Sequence, residues 1–382
     1  MRAGMALADR RGMTPSALSA PAWVVAYPRR RQASEHEIAT QLCLARKLSE
    51  LLQCRLLEPY RPSRQRSHDR CYYVPDRSLV GSWRTQRLGI RDARQLYGGV
   101  VPRAFVATKA ISHGLWRDSR AAPPGWARGL AAELGDAVLR GYTVFCAEDA
   151  WQAGLALLRD GPVRLKSPFA SAGRGQSLVR DSQALREALA EPGLCERGLV
   201  LEENLDDPMT YSVGWCEVGE HRLAYIGTQE LTPDNRGEPV YGGSRLRCLR
   251  GGPDELAAAD LAPAQRRAVE LALRYDRAVN AAYPQLYASR RNYDVAIGAD
   301  SRAGVLEQSW RAGGASIAEL AALRFLDQQP EAREVHAYTR ERYGVGDEEP
   351  PRADLVYRGE DSAVGPIAKS GGILGAGDGG AE

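Results

Sequence analysis

The sequence contains very little lysine. Only four of its 51 basic residues are lysines, and the other 47 are arginines. The two side chains are not interchangeable where a compact, flexible charge must reach a phosphate, because arginine carries a broad planar guanidinium. In a chain that otherwise uses arginine, we expect a retained lysine to mark a position at which arginine would be unfavourable. The four lysines are Lys47, Lys109, Lys166 and Lys369.

Other absences exclude several classes of protein. The seven cysteines include no Cys-x-x-Cys pair, which favours reduced thiols over a disulfide framework or a zinc knuckle. No segment approaches the roughly 18 consecutive apolar residues of a membrane-spanning helix. The N-terminal segment has no apolar stretch long enough for a signal peptide. We therefore expect a cytoplasmic protein without a membrane partner.

The charge balance does not indicate a nucleic-acid-binding protein. The 51 basic residues are offset by 48 acidic ones, which gives a net charge of +3, and no single basic stripe stands out. The densest basic segments, 27–31 and 60–70, are interpreted as solvated loops rather than phosphate-tracking patches. We therefore expect no nucleic-acid partner.

The pattern of apolar residues predicts an α/β organisation. Apolar segments at 22–27 and 54–60 flank a helix that opens with a capping box of Ser34 and Glu37, which predicts a β-α-β unit. Further helices are predicted at 125–139, 148–159, 182–190, 263–280 and 314–326, and further strands at 142–145, 162–166 and 198–203. A Gly/Pro-rich stretch follows at 232–253 and a hairpin at 292–310.

This pattern divides the chain into five parts. At 382 residues it is long enough for one large α/β enzyme or for two or three domains. The predicted parts are a disordered extension (1–21), a small N-terminal α/β domain (22–104), two α+β segments (105–205 and 206–345) and a mostly flexible tail (346–382).

A lysine closes the short apolar strand 162–166, immediately before the segment SPFASAGRGQ. Gly173 and Gly175 in that segment would let backbone N–H groups approach an anion closely. The segment has neither the P-loop pattern nor the Rossmann G-x-G-x-x-G pattern. Two interpretations are open at this point: a phosphate-binding loop that includes Lys166, or a surface turn with an incidental lysine.

The predicted hairpin brings two carboxylates together. Alternate residues of a strand share a face, so Glu307, Ser309 and Arg311 point one way and the two intervening residues the other. In either of the nearest registers, Asp294 lies opposite or diagonal to Glu307. Adjacent carboxylates repel each other unless a cation lies between them, and Mg²⁺ with phosphate oxygens is the usual occupant. Arg311 could clamp a transferring phosphoryl group, and a solvent-exposed polar face is the alternative interpretation.

The strand LVLEENL (199–205) ends abruptly in Glu202 and Glu203. Its backbone could hold an adenine edge, and a glutamate could bind ribose hydroxyls. An exposed strand end is an equally compatible interpretation.

Two groups of residues are candidates for the binding of further substrates or for proton transfer. The arginines at 245, 247 and 250 suit a carboxylate substrate, although solvated charges on a surface loop are the favoured interpretation. His113, shortly after Lys109, could act as a base, but a lone histidine is more often structural.

In this order, the features resemble the ATP-grasp superfamily of carboxylate ligases, which includes biotin carboxylase and D-alanine–D-alanine ligase. In that family one lysine precedes a small subdomain, and a second closes a strand ahead of a mobile Gly-rich lid. A hinge strand with a glutamate holds adenine, and a late hairpin carries an acid followed by a Glu-x-Asn-x-Arg type motif. The matching segments here are VATKAI, VRLK, AGRG, LVLEENL and NYDVAIG with VLEQSWR.

The resemblance covers about residues 105–325 and implies an ATP-grasp fold of the α/β (α+β) class. The small N-terminal α/β domain would be followed by two α+β subdomains that sandwich ATP, 105–205 as the small lid subdomain and 206–345 as the large one. ATP would be held by Lys109, Lys166, Gly173, Arg174, Gly175, Glu202, Glu203 and Leu205. Mg²⁺ would be held by Asp294, Glu307 and Ser309, and the catalytic residues would be Lys166 and Arg311.

One position departs from the family pattern. The metal-binding asparagine of the family is Ser309 here, and its hydroxyl is shorter than an amide, so the site would have to shift or use water. Gln308 cannot substitute, because it faces the other side of the strand. The departure bears on whether the site holds one metal ion or two.

The resemblance implies a reaction as well as a fold. An ATP- and Mg²⁺-dependent ligase would activate a carboxylate substrate as an acyl phosphate, for attack by an amine or similar nucleophile. An ATP-grasp small-molecule kinase and a non-catalytic nucleotide-binding protein are the alternatives. The segments GGVVPRAFVATKAI, NYDVAIG and VLEQSWRAGGAS also resemble a bacterial family known as a domain of unknown function.

Overall fold

A computed structural model describes residues 20–58, 60–61, 70–117, 119–170, 175–344 and 354–374. The strands in these residues are β1 (Trp23–Val25), β2 (Arg55–Leu56), β3 (Cys71–Tyr73), β4 (Leu79–Val80), β5 (Gly99–Val101), β6 (Gly141–Val144), β7 (Val163–Lys166), β8 (Gln176–Val179), β9 (Leu199–Glu203), β10 (Met209–Val218), β11 (His221–Pro233), β12 (Pro239–Arg250), β13 (Tyr287–Ala288), β14 (Arg290–Ile297), β15 (Ala303–Ser309), β16 (Glu334–Tyr343), β17 (Leu355–Asp361) and β18 (Gly365–Ile373).

The helices are α1 (Glu35–Leu51), α2 (Ser82–Arg87), α3 (Leu130–Leu134), α4 (Ala147–Leu158), α5 (Ser182–Leu189), α6 (Pro253–Ala258), α7 (Pro263–Ala282) and α8 (Ser316–Gln328). Short 3₁₀ turns cover Ala93–Gln95, Ala104–Ala107, Lys109–Ser112 and Gly135–Ala137. None of the helices in the described ranges is both long and apolar enough to cross a membrane.

The N-terminal residues form the predicted β-α-β unit. Strand β1 pairs in parallel with β2 and with β3, and α1 lies between β1 and β2 in the chain. The capping box is present, since the Ser34 backbone N–H donates to Glu37 Oε2 over 3.1 Å. A second small sheet, in the order β13-β5-β4, joins this region to the later chain, because β13 pairs with β5.

Residues of the 105–205 segment form a four-stranded antiparallel sheet in the order β6-β9-β7-β8. Helices α4 and α5 pack on it through a small apolar core that includes Leu157, Leu165, Leu185 and Leu201. This sheet carries Lys166 at the end of β7 and the two glutamates at the end of β9.

An eight-stranded sheet dominates the rest of the chain, in the order β15-β14-β10-β11-β12-β16-β18-β17. Side chains alternate between its faces: Ala224 and Ile226 on β11 belong to the core that includes α7, whereas Leu223 and Tyr225 belong to the core that includes α1 and α8. Helix α7 therefore covers one face and helices α1 and α8 cover the other, and the α8 face also carries the polar residues of the hairpin β14–β15.

One predicted helix is much shorter than expected. Instead of a helix over 125–139, the chain forms α3 and one 3₁₀ turn. The helix ends at Gly135, whose φ of +51° lies in the left-handed region that glycine tolerates.

The prediction of a flexible tail from 346 is wrong over Leu355–Ile373, which forms β17 and β18 of the large sheet. Glycine is needed there for close packing rather than for mobility: a Cβ at Gly371 would lie 2.7 Å from the Tyr338 carbonyl oxygen. Residues 345–353 and 375–382 lie outside the described residues, as do 1–19 of the predicted N-terminal extension.

The Gly/Pro-rich stretch 232–253 is also more regular than predicted. It contains the turn between β11 and β12, at which Asp234 Oδ1 accepts hydrogen bonds from the backbone N–H groups of Arg236 and Glu238, and then the whole of β12. Glycines at 242 and 243 lie inside this strand, close to neighbouring backbone, which explains why the composition resembles that of a loop.

Candidate active site

A single cavity of about 980 Å³ collects most of the residues that the sequence singled out. It is lined at one end by the ends of β7 and β9, along its floor by the hairpin β14–β15, and at the other end by β16 and β18. Lys109, Lys166, Glu202, Glu203, Leu205, Asp294, Glu307, Ser309 and Arg311 all line it. Lys109 and Arg311, more than 200 positions apart in the chain, thus share one cavity.

Lys166 takes part in a buried charge network in the four-stranded sheet. Its ammonium pairs with one carboxylate oxygen of Glu202, and His113 Nε2 lies 3.1 Å from the other. Lys166 and Glu202 are only 3% and 2% exposed. Burial alone would raise the pKa of Glu202, but the Lys166 charge and the contacts with His113 hold the pKa at about 2. Glu202 therefore remains a carboxylate and fixes the lysine at the cavity wall.

Lys109 connects the two sheets. Its Nζ lies 2.9 Å from Glu307 Oε2 on β15 and donates to the carbonyl of Ala170, just beyond β7, over 2.8 Å. The lysine starts a short 3₁₀ turn that is capped by Thr108, whose hydroxyl accepts from the backbone N–H of Ala110. Of the three donors on this ammonium, two have partners in the described residues, so one is available to a ligand.

Three of the four lysines line the cavity. Besides Lys109 and Lys166, it includes Lys369 of β18, whose Nζ lies 2.7 Å from Glu341 directly across the strand pair. Lys47, on α1, is not among the lining residues. The scarcity of lysine in the sequence therefore applies to Lys369 as much as to Lys109 and Lys166. The prediction missed Lys369 because it lies in the segment that was predicted to be a flexible tail.

The paired acids lie as the strand pattern predicted, with Asp294 of β14 directly opposite Glu307 of β15. Oδ1 of Asp294 accepts hydrogen bonds from Ser212, Gln229 and Asn292, over 3.1, 2.7 and 2.9 Å. Burial and the neighbouring Glu307 charge both raise the pKa of Asp294 above its usual value. A bound cation would relieve this repulsion.

Asp294 and Glu307 suit a Mg²⁺ ion whose other ligands are phosphate oxygens and water. Two carboxylates on adjacent strands are the kind of protein contribution this ion uses, since it keeps several waters and binds through few side chains. No group of three or more His, Cys, Asp or Glu residues that could hold a metal by itself occurs in the part of the chain that the structure describes. Asp294 and Glu307 are the two carboxylates that would hold such an ion.

A second buried ion pair lies beneath the hairpin. Arg290 forms a two-pronged contact with Glu319 of α8, with Nη2 2.6 Å from Oε1, and its Nη1 donates to the carbonyls of Ser309 and Arg311. Burial alone would raise the pKa of Glu319, but Arg290 outweighs it and keeps the pKa below its usual value. Tyr97 and Tyr225 donate to the same carboxylate. The spacing of residues in the sequence indicated neither Arg290 nor Glu319 as members of a buried pair.

Arg311, which was predicted to be catalytic, differs from Arg290. Its Nη1 donates to the carbonyl of Ala312 over 2.9 Å, and it forms no ion pair with any described residue. Its neighbour Ser309 accepts a long hydrogen bond of 3.4 Å from Arg290 Nη1. A guanidinium without a carboxylate partner at a cavity wall is suited to bind an anion.

The remaining predicted ATP contacts lie at the end of β9 and, in the sequence, between β7 and β8. Both carboxylate oxygens of Glu203 are engaged, by the backbone N–H of Arg140 and by Arg302, each over 2.9 Å. Gly175 has a φ of +63°, and its carbonyl accepts from the Ser167 backbone N–H, which closes the ends of the loop. Gly173 and Arg174 lie outside the described residues.

The three arginines at 245, 247 and 250 lie in the strand β12 and have protein partners, so the predicted surface loop with solvated charges is wrong. Arg245 pairs with Glu230 and Arg247 with Glu334, whereas Arg250 donates to carbonyls at the end of α8 and beyond, including that of Leu326. They do not line the cavity.

Comparison with known proteins gives a family and a fold. A family model described as protein of unknown function (DUF3182) matches residues 24–371. No curated protein matches the chain in sequence.

Three solved structures with a similar fold illustrate the comparison. N5-carboxyaminoimidazole synthetase from Staphylococcus aureus has 11% identity and a TM-score of 0.54, with 94% of each chain covered. The corresponding synthase from Aspergillus clavatus, solved with ADP and 5-aminoimidazole ribonucleotide, has 13% identity and a TM-score of 0.52, with 93% of this chain and 94% of that one covered. D-alanyl-alanine synthetase A from Vibrio cholerae has 10% identity and a TM-score of 0.50, with 83% and 96% covered. These are ATP-grasp enzymes, and the likeness confirms the predicted ATP-grasp fold.

Proposed function

The chain belongs to the DUF3182 family and has the ATP-grasp fold, and from this we propose that it is an ATP-dependent ligase that activates a small-molecule carboxylate for attack by an amine or similar nucleophile. The observation that carries the proposal is the concentration of three of four lysines around one cavity that also contains a pair of adjacent acids. Phosphoryl transfer depends mainly on positioning and on neutralisation of charge, and these residue types provide both.

We assign the triphosphate to the end of the cavity at Lys109 and Lys166. Both ammonium groups are anchored by a carboxylate, yet each keeps at least one N–H without a partner in the described residues. Glu202 acts in this proposal by holding Lys166, because its two oxygens are already occupied. Leu205 and the backbone at the end of β9 are the proposed contacts of the nucleoside, whereas Glu203, whose two oxygens are also engaged, would hold Arg302 and the backbone of Arg140.

Asp294 and Glu307 are the proposed ligands of Mg²⁺, which would neutralise charge on the phosphate oxygens. An oxygen of the substrate carboxylate bonds to the γ-phosphorus while the bond from that phosphorus to the bridging oxygen breaks, so ADP leaves and an acyl phosphate remains. A nucleophilic amine then attacks the acyl carbon, phosphate leaves, and the amine loses a proton. Arg311, which has no carboxylate partner in the described residues, would stabilise the charge that develops on the transferring group.

The far end of the cavity is the proposed site of the carboxylate and its acceptor. It is lined by Arg311, Glu341 and Lys369, which offer both signs of charge to a polar molecule. The Aspergillus synthase binds ADP together with a ribonucleotide that carries an amine. A small amine-bearing acceptor at this end would suit the same kind of reaction.

The experiment uses hydroxylamine as a general nucleophile. Full-length protein is incubated with Mg²⁺, ATP, hydroxylamine and pools of metabolite carboxylates, and ADP and new hydroxamates are measured by mass spectrometry. A ligase would release ADP and form one hydroxamate in a carboxylate-dependent manner, and Lys166→Met would abolish both. A stable phosphorylated metabolite without hydroxamate would instead establish a kinase. Thermal stabilisation by ATP without turnover with any pool would establish a non-catalytic binder, and either outcome would overturn the proposal.

A further inference from the structure

Asn292 lies where an amide could compensate for the serine at position 309. The two residues are directly opposite each other on β14 and β15, and both line the cavity. Asn292 precedes Asp294 by two positions, so the two side chains share one face of the strand. An amide lost from one strand of the hairpin is thus present at the facing position of the other.

The hydrogen bonds around Asn292 constrain the orientation of its amide. Nδ2 donates to Asp294 Oδ1 over 2.9 Å, and Oδ1 lies 2.8 Å from the Tyr225 hydroxyl. That hydroxyl also lies 2.7 Å from Glu319 Oε1 and receives Arg290 Nη2 at 3.3 Å. A tyrosine has one hydroxyl proton, and the Glu319 carboxylate can only accept.

Rotation of the Asn292 amide gives Tyr225, Glu319 and Asn292 Nδ2 each a hydrogen-bond partner, but it turns Asn292 Oδ1 toward an Asp294 oxygen with no proton between them, a contact that a bound cation would stabilise. The Tyr225 proton then goes to Glu319, the Tyr225 oxygen accepts from Asn292 Nδ2, and Asn292 Oδ1 turns toward Asp294. This places two oxygens about 2.9 Å apart. Neighbouring ligands of an octahedral Mg²⁺, each about 2.1 Å from the metal, are separated by about the same distance.

We propose that Asn292, and not Ser309, supplies the amide oxygen to the metal ion held by Asp294 and Glu307. The inference rests on the proposed function, since the metal enters with the nucleotide. The amide is a donor to Asp294 when the metal is absent and a ligand beside Asp294 when it is present. Tyr225 holds the rotated amide through its oxygen.

Ser309 is poorly suited to the same role. Arg290 Nη1 lies 3.4 Å from its hydroxyl and 3.2 Å from its carbonyl oxygen, so a positive charge already lies beside it. A cation at the Ser309 hydroxyl would be repelled by that guanidinium at short range. Asn292, by contrast, contacts the Tyr225 hydroxyl, and this hydroxyl lies between Asn292 and Glu319.

The test measures the affinity of full-length protein for Mn²⁺ by electron paramagnetic resonance, with the non-hydrolysable analogue AMP-PNP present. Asn292→Ala is expected to weaken Mn²⁺ binding by at least about tenfold, whereas Ser309→Ala leaves it unchanged. Asn292→Asp keeps an oxygen at the site but no N–H, so it retains Mn²⁺ binding if residue 292 is a ligand. If residue 292 acts only as a donor to Asp294, Asn292→Asp is as defective as Asn292→Ala, which would overturn the inference.

Two further outcomes separate this inference from the proposed function. Weaker Mn²⁺ binding in Ser309→Ala, with Asn292→Ala unaffected, would contradict the inference and leave the ligase proposal standing. Failure of the wild-type protein to bind AMP-PNP would contradict both. Thermal unfolding without metal or nucleotide identifies any variant that fails to fold, and Asn292→Asp then provides the comparison in place of Asn292→Ala.

Discussion

Two buried ion pairs flank the cavity, and they differ in how many hydrogen-bond donors of the basic residue remain available to a ligand. In the four-stranded sheet, Lys166 pairs with Glu202; in the eight-stranded sheet, Arg290 pairs with Glu319. All four residues are 3% exposed or less. Arg290 uses each of its three guanidinium nitrogens in contacts with protein groups, whereas Glu202 is the only partner of the Lys166 ammonium in the described residues.

The difference shows how this chain divides the work between its two basic residue types. Arginine, with five donors in a rigid fork, fixes the hairpin, a helix and two tyrosines in one network. Lys166, with a compact charge on a flexible stem, is anchored by Glu202 alone among the described residues and keeps donors for a ligand. Composition and structure thus agree, since three of the four lysines line the cavity.

The largest expected effect is on stability, at the pair of Arg290 and Glu319. Arg290→Met leaves the Glu319 carboxylate buried without its cation, so the free energy of unfolding should fall by about 3–5 kcal/mol. The matched control is Arg324→Met, which breaks the exposed pair with Glu50 and should change it by about 1 kcal/mol or less. Urea denaturation measures both. Equal losses in the two variants would show that the Arg290 network is not a structural centre.

The next effect depends on pH and involves the Lys166 pair. The folded-state pKa of Glu202, about 2, lies below its ordinary value of 4.5, so its contribution to stability is present above pH 4.5 and is lost as pH falls toward 2. Glu202→Gln should lower the free energy of unfolding by about 3 kcal/mol at neutral pH. The difference from wild type should narrow below pH 4.5. Denaturation series at several pH values test this, and a difference independent of pH would contradict the assigned charge state.

Much of the candidate site could be predicted from the sequence, because the positions of its residues depend on the pattern within single strands and on residue counts. The period of two in β15 put Glu307, Ser309 and Arg311 on one face, and the short hairpin brought Asp294 opposite Glu307. The scarcity of lysine indicated Lys109 and Lys166. These signals need only the geometry of one element or a count of residues.

The remainder depends on contacts between distant segments, which leave no periodic signal. Tyr97 and Glu319 meet although they are 222 positions apart. The strand β18 has a composition typical of flexible tails, because close backbone packing and mobility both favour glycine. Lys369 was overlooked for that reason, although it shares the rarity of the other two. The role of Asn292 depends on the single proton of Tyr225, which only the folded network defines.

The smallest expected effect concerns Lys369, at the far end of the cavity. Its pair with Glu341 is partly exposed, so Lys369→Met should change the free energy of unfolding by about 1 kcal/mol or less. Affinity for AMP-PNP should be unchanged, whereas the KM for the carboxylate or its acceptor should rise. Calorimetry and steady-state kinetics measure the two. Weakened AMP-PNP binding in this variant would mean that the nucleotide extends to β18, contrary to the proposed arrangement.

The central claim is that Lys109 and Lys166 bind one triphosphate, and calorimetric titration of AMP-PNP with Mg²⁺ tests it most directly. Loss of a charge-assisted hydrogen bond of about 1.5–3 kcal/mol should weaken binding by roughly tenfold to a hundredfold in Lys109→Met and in Lys166→Met. Lys166→Arg should also bind more weakly, because a planar guanidinium does not replace the compact ammonium. Lys47→Met, at the one lysine outside the cavity lining, should bind as the wild type does. Wild-type affinity in Lys109→Met or in Lys166→Met would contradict the account.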